Sequence, residues 1–234
     1  MWNKIERVLA SLMAIAAIVV AGVLVHREFN PRPATVNLAS DAPPPKFISG
    51  WEQFAVNGIE LGANSGKVRI IEFADLECPF CKQFQLSTLA AVTAKFPNDI
   101  SVTFMHMPLS MHRFALPAAR AAECARRQDR ALALIDATYR KQDSLGLKSW
   151  VSYGAEAGIR DSPAFAHCIA STEAVPRIDS GMAIARRIGV HATPTVMVNG
   201  WLFSHPLDEK TLTTMIEEIR KGKAPKDVVA ASVK

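Results

Sequence analysis

Two cysteines with two residues between them, Cys78-Pro79-Phe80-Cys81, lie between a strand-like run and a helix-like run. That spacing puts one sulfur at a helix N-terminus and the other a turn later, close enough to bridge. A helix N-terminus carries unpaired N–H groups and partial positive charge, so it favours an anion. A thiolate there is stabilised, and a thiol pKa near 8.5 falls to roughly 3.5–7.5 in such places. Thiolate is the form that attacks disulfides. The pattern points to redox exchange between thiols, with an exposed and acidic sulfur at Cys78.

The flanking segments are the kind that position such a pair. Val68-Arg69-Ile70-Ile71-Glu72-Phe73 is nearly continuous in apolar residues, as expected of a strand buried on both faces. After Cys81, Phe84, Leu89, Val92 and Phe96 fall on one helix face, and Pro97 stops the helix. Ile100, Val102 and Phe104 alternate with Ser101 and Thr103 as a second strand, which completes a βαβ unit. A mainly helical section follows, from about 115 to 188. In it Ala118, Ala121, Ala122 and Ala125 line one helix, and Leu147, Trp150 and Val151 mark another. Phe165, Cys168 and Ile169 mark a third; Val175, Ile178, Met182 and Ala185 mark a fourth, ended by Gly189. Thr195–Val198 and Trp201–Phe203 flank Asn199-Gly200, the favoured two-residue hairpin turn. A last helix carries Leu212, Met215, Ile216 and Ile219 on one face.

The N-terminal part is of another kind. Val8 to Val25 is eighteen residues without a charge, and roughly 17–25 apolar residues span a bilayer as a helix. A cleavable signal peptide is the alternative, but its apolar region is about 7–15 residues long and Val19-Val20-Ala21 makes a poor cleavage site. The reading is an N-terminal membrane anchor over 1–28. Residues 29–46 contain Pro31, Pro33, Pro43, Pro44 and Pro45 and form an extended spacer. The domain occupies 47–225, and 226–234 is a tail. A net charge of +5, spread along the chain without a basic run interleaved with aromatics, gives no footing for nucleic acid. Arg126, Arg127 and Arg130 read as a solvated helix face.

Strand, helix, strand, helical insertion, hairpin and helix, with C-x-x-C after the first strand and Thr-Pro before the hairpin, resemble the DsbA-like thiol-disulfide oxidoreductases of the thioredoxin superfamily. The resemblance rests on Ile71-Glu72-Phe73-Ala74-Asp75 leading into Cys78-Pro79-Phe80-Cys81, on Met107-Pro108-Leu109 with His112, and on Ala121-Ala122-Glu123-Cys124-Ala125. Gly189-Val190-His191-Ala192-Thr193-Pro194-Thr195 and Val198-Asn199-Gly200 continue it. It implies an α/β thioredoxin fold with a helical insertion between the βαβ and ββα halves, after one N-terminal transmembrane helix. Cys78 would be the nucleophile and Cys81 the buried partner that closes or resolves the disulfide. Glu72 would be a buried acid moving protons for Cys81, and Thr193-Pro194 a cis-proline whose backbone faces Cys78 and pairs with an extended client. Pro79 pre-sets the turn, and Phe80 adds neither charge nor hydrogen-bond donor. The strongest oxidants of the family carry a histidine in that dipeptide, so this pair is expected to be less oxidising than about −120 mV.

Cys124 and Cys168 remain. With the active-site pair fixed they have only each other as partners, in a structural disulfide; two buried free thiols are the alternative. Met105-His106-Met107 has soft ligands suited to Cu(I), but in a strand the methionines share one face and His106 the other. No metal and no cofactor are expected. The resemblance implies cysteine-containing client proteins, a membrane redox partner that recycles the pair, and residence on the outer side of a bacterial inner membrane, or in the periplasm after cleavage. No dimerisation module is present, so the protein is expected to act as a monomer, and as an oxidase in preference to a reductase or isomerase. A reading of another class gathers Cys78, Cys81, Cys124 and Cys168 around zinc, although the second pair lacks the close spacing of a zinc knuckle.

Overall fold

Val68–Ala74 (β3) is apolar along both faces because helices cover both, and it is the strand on which the rest of the sheet is built. In the computed structural model of the chain, residues 13, 20, 44–61 and 66–225 are described. The Val8–Val25 segment lies outside the described residues, apart from the single positions 13 and 20; among the described residues no helix is long and apolar enough to cross a membrane.

Among the described residues the sheet has six strands in the order β1 (Lys46–Phe47), β6 (Trp201–Phe203), β5 (Thr195–Val198), β3, β4 (Ile100–His106) and β2 (Ile59–Leu61). β3 and β4 run parallel with Glu72 opposite Phe104, while β3 and β5 run antiparallel with Glu72 opposite Val196. The hairpin turn has the two positive φ angles its type requires, Asn199 at 44° and Gly200 at 83°. Asn199 also extends the β3 pairing: its side-chain oxygen accepts from the Arg69 amide at 2.7 Å and its amide donates to the Arg69 carbonyl at 2.9 Å. The short outer strands β1 and β2, and the 3-10 helix Trp51–Asn57 between them, carry no period long enough to be read from the sequence.

Alternation along β3 divides the core in two. Val68, Ile70 and Ala74 face α1 (Pro79–Gln83), α2 (Ala90–Lys95) and the last helix, α8 (Glu209–Arg220). Ile71 and Phe73 face Ile184, Ala185 and Ile188 of α7 (Pro176–Ile188), with Trp51 and Phe54. Gly181 lets α7 approach β4, since a Cβ there would come within 2.4 Å of the His106 carbonyl oxygen. The helix expected after Cys81 does form, but Phe84–Leu89 between α1 and α2 is a π-helical stretch. The wider π turn still leaves Phe84, Leu89, Val92 and Phe96 buried.

The insertion comprises α3 (Ala115–Arg126), α4 (Ala131–Arg140), α5 (Trp150–Glu156), α6 (Ser162–Ala170) and α7. Leu147 departs from the expectation that it marks a helix together with Trp150 and Val151, which lie in α5 without it. It is 89% exposed, in a turn bounded by Gly146 at φ 80° and by Ser149, whose hydroxyl caps α5 by accepting from the Ser152 amide. The arginines between the end of α3 and the start of α4 are likewise less free than a solvated helix face implies: Arg126, the last residue of α3, donates to Glu123 at 2.9 Å, and Arg130, just before α4, to the Gly158 carbonyl at 3.2 Å. Cys124 on α3 and Cys168 on α6 are joined by a disulfide, 44 residues apart in sequence. Cross-linking a loop of that length removes denatured-state entropy worth about 4 kcal/mol in the chain-entropy model. Replacing both cysteines by serine is expected to lower the urea unfolding free energy by about that amount while leaving the Cys78–Cys81 couple able to cycle. A loss under about 1 kcal/mol would show that the bridge does not limit the unfolded chain.

Candidate active site

Cys78 is the N-cap of α1, with Pro79 in the first helical position, where a missing N–H is harmless. Its backbone is tied on both sides: the amide donates to the Asp75 carbonyl at 3.1 Å, and the carbonyl accepts from Gln142 Nε2 at 3.0 Å. The expectation of an open sulfur is corrected here. Cys78 is only 4% exposed, because the Thr193 backbone lies across it and its Sγ donates to the Thr193 carbonyl at 3.4 Å. The residues that do face water are Pro79 and Phe80, the latter 65% exposed. Phe80 also edges a shallow groove completed by Gln83, Phe84, Thr88, Pro206, Leu207 and Asp208. Cys78 therefore sits just under the surface, at the foot of an apolar rim.

The two sulfurs are in different electrostatic surroundings. A hydrogen bond from the Cys81 thiol does most to lower the Cys78 pKa, from 9.0 to about 5. Burial opposes that effect, and the Thr193 side chain and the helix N–H groups of Phe80 and Cys81 add to it. Cys81 is fully buried, and burial pushes its thiol well above the ordinary value; donating to Cys78 and the nearby charges of Glu72 and Cys78 push the same way. Only the Asp75 amide, 3.5 Å from the Cys81 sulfur, acts in the opposite sense.

Glu72 lies on the β3 face that looks toward this helix, with no exposed surface and, among the described residues, no hydrogen-bond partner for either carboxylate oxygen. Burial, reinforced by repulsion from Cys78, raises it from 4.5 to about 8. At neutral pH it holds a proton. The Thr193-Pro194 bond is cis and brings the Thr193 carbonyl to Cys78. The structure thus brings Glu72, Cys78, Pro79, Phe80, Cys81, Thr193 and Pro194 to one end of the sheet. Cys124 and Cys168 lie in the insertion, bonded to each other, so the four sulfurs do not converge on a common centre. Among the described residues no group of three or more His, Cys, Asp or Glu side chains could hold a metal ion.

Several residues at the site carried no role in the sequence reading. Asp75 is buried, and its carboxylate accepts from the amides of Glu77 and Leu109 and from His112 Nδ1, each at 2.8 Å. Tyr139 of α4 donates to the Asp75 carbonyl at 3.3 Å, and Gln142 just beyond α4 donates to the Leu76 carbonyl as well as to that of Cys78. Asp75 and His112 were visible as parts of matching motifs. Tyr139 and Gln142 had no local signal, because their partners lie over sixty residues earlier.

A family profile described as thioredoxin matches residues 55–218 of the chain. Among curated proteins, the Na(+)/H(+) antiporter NhaA of Herminiimonas arsenicoxydans is 28% identical over 167 residues, 71% of this chain and 26% of that protein. Na(+)/H(+) antiporter NhaA 1 of Mycolicibacterium vanbaalenii is 30% identical over 201 residues, 75% of this chain and 32% of that protein. The chain thus spans about a quarter to a third of the length of these curated relatives. Among solved structures, oxidised BdbD from Bacillus subtilis superposes with a TM-score of 0.65 at 17% identity, over 77% of this chain and 98% of that one. A thioredoxin-like oxidoreductase from Silicibacter pomeroyi gives 0.62 at 23%, over 74% and 99%. DsbA from Chlamydia trachomatis gives 0.60 at 17%, over 70% and 92%. At these identities the likeness is one of fold, and the fold is the thioredoxin α/β sheet with a helical insertion.

The Glu72 shift has a measurable sign. An acid raised from 4.5 to about 8 by folding keeps its proton in the native state while the unfolded chain releases it. Its contribution is whole below about 4.5 and is lost as pH rises through about 8. In the oxidised protein, where neither active-site thiol titrates and burial still holds the carboxyl up, stability is expected to fall across that window. Glu72→Gln is expected to flatten the fall in denaturant titrations at a series of pH values. An unchanged slope would mean that Glu72 is not the titrating group.

Proposed function

Because this chain belongs to the thioredoxin family, we propose that it carries out thiol-disulfide exchange on proteins outside the cytoplasm, as a disulfide-forming oxidase using the Cys78–Cys81 pair. A client thiolate attacks the Cys78 sulfur of the oxidised pair, the Cys78–Cys81 bond breaks, and Cys81 leaves as a thiolate. Cys81 holds a negative charge poorly, and in this reading the protonated Glu72, whose charge Cys81 feels, gives it a proton. A second client thiolate then attacks the client sulfur of the mixed disulfide and expels Cys78. The client has lost two electrons and gained a disulfide; the pair has gained both electrons. Cys78 is the better leaving group because its thiolate is the stabilised one. Thr193, with its carbonyl against Cys78, offers backbone to an extended client segment, and the Phe80 rim and groove offer it an apolar surface.

The observation that carries this reading is the opposite displacement of two thiols three residues apart. It suits a pair that accepts electrons readily, and the thioredoxin-like oxidoreductase, BdbD and DsbA structures share the fold that holds such a pair. Residues 1–28 serve in this reading as the membrane anchor, and the proline-rich 29–46 segment is the spacer that joins it to the 47–225 domain. A membrane redox partner recycles the pair. The domain-sized match within proteins named as antiporters supports work beside a membrane.

Two measurements test the proposal together. The reduction potential of the couple, titrated against glutathione, is expected between the thioredoxin value of about −270 mV and the strong-oxidant value of about −120 mV. The oxidised protein is expected to restore activity to a reduced, unfolded disulfide protein, and Cys78→Ser to abolish that. A potential below about −270 mV with no refolding activity would reject the oxidase in favour of a reductase.

A further inference from the structure

The dipeptide between the cysteines brings no cation to the thiolate it serves, since Pro79 and Phe80 are both uncharged. The structure brings an imidazole, that of His112, to the redox turn from elsewhere in the chain. The segment 107–114, between β4 and α3, is strapped against the redox turn by Asp75. The Asp75 carboxylate takes the Leu109 amide and His112 Nδ1 on one oxygen and the Glu77 amide on the other, each at 2.8 Å. The Phe114 amide in turn donates to the Glu77 carboxylate at 2.5 Å. The main chain of the same Asp75 touches both cysteines: its carbonyl accepts from the Cys78 amide at 3.1 Å, and its amide lies 3.5 Å from the Cys81 sulfur. One residue therefore fixes the redox turn with its backbone and an imidazole with its side chain.

We propose that Asp75 and His112 are a positioning pair for the exchange reaction: Asp75 holds an imidazolium beside the redox turn, and that cation supports the Cys78 thiolate of the reduced protein. This rests on the oxidoreductase reading above. The titratable groups facing His112 are Asp75 and Glu77 from the turn and Cys78 at the start of α1, with Tyr139 of α4 behind them on the Asp75 carbonyl. The neighbouring Arg113 lies over the Phe114 ring at 5.5 Å. Burial pulls the His112 imidazolium down, but the Asp75 hydrogen bond and the charges of Asp75, Glu77 and Cys78 together push it above its ordinary value of 6.5. Coupling between two titrating groups is reciprocal. If the thiolate holds a proton on His112, the imidazolium holds Cys78 ionised, and closing the disulfide must loosen the proton.

Ring-proton NMR of the full chain reads this directly, with the His112 signal assigned by its loss in His112→Gln. The His112 midpoint is expected above 6.5 in the reduced protein and lower by about half a unit or more once the Cys78–Cys81 disulfide forms. Equal midpoints in the two redox states would overturn the proposal. Glutathione equilibria then separate electrostatics from mere structure. His112→Gln is expected to shift the equilibrium constant roughly three- to tenfold toward the disulfide, and His112→Lys, which keeps a cation, to stay near the parent value. Equal shifts in both variants would overturn the proposal, since a purely structural role does not distinguish them. A parent protein that does not equilibrate with glutathione at all would sink the oxidoreductase reading, while the NMR comparison on chemically reduced and oxidised protein would still decide the pair.

Discussion

A charge that is welcome on one sulfur and unwelcome on its neighbour is the condition on which the site depends, and the fold is arranged to produce it. Cys78 is placed where helix N–H groups converge, with the Cys81 thiol donating to it and a backbone carbonyl across from it. Cys81 is one turn further along the same rod, where the rod is already inside the core. The helix that starts at Pro79 thus serves both sulfurs: its first turn solvates an anion, and its second carries the partner away from water. Without β3 and α8 packed around it, the second sulfur would see solvent and the difference would shrink.

The surrounding polar groups are arranged around that difference. Glu72 sits in the sheet beneath, without a hydrogen-bond donor among the described residues, and burial raises it to about 8, so that it carries a proton at neutral pH. Asp75, three residues later and equally enclosed, is surrounded by donors. Two buried carboxyls at one strand exit therefore differ in their partners: among the described residues none donates to Glu72, while three donors converge on Asp75. The insertion is part of the same construction. Tyr139 and Gln142 reach back to the carbonyls of Asp75, Leu76 and Cys78, which links the helical insertion to the redox turn. The Cys124–Cys168 bridge ties α3 to α6 in that insertion, and so lends stability to the element that grips the turn.

Much of this was legible in the sequence, for identifiable reasons. β3, β4 and the 195–203 hairpin carry short-range signals, an unbroken apolar run, an alternation and an Asn-Gly turn, and each forms as read. The helical character of 115–188 was clear from period, but its division was not: α4 went unread as a separate helix, and Leu147 misled because exposed leucines look the same as buried ones in a string. The π-helical stretch at Phe84–Leu89 breaks the period only by one residue. At the site, residue types and spacing located the thiols and the late Thr-Pro. Sequence did not reveal that Thr193 would cover Cys78, nor that Asp75 would collect donors from thirty-odd residues downstream, since both depend on segments meeting in space.

The acidity difference between the two sulfurs is open to a single direct measurement, the pH profile of alkylation of the fully reduced chain with the modified residue identified by mass spectrometry. Alkylation is expected to fall on Cys78 alone, with a rate that rises to a plateau around a midpoint of about 5, while Cys81 stays unmodified through neutral pH. A midpoint near the ordinary 9.0, or equal labelling of Cys78 and Cys81, would contradict the account.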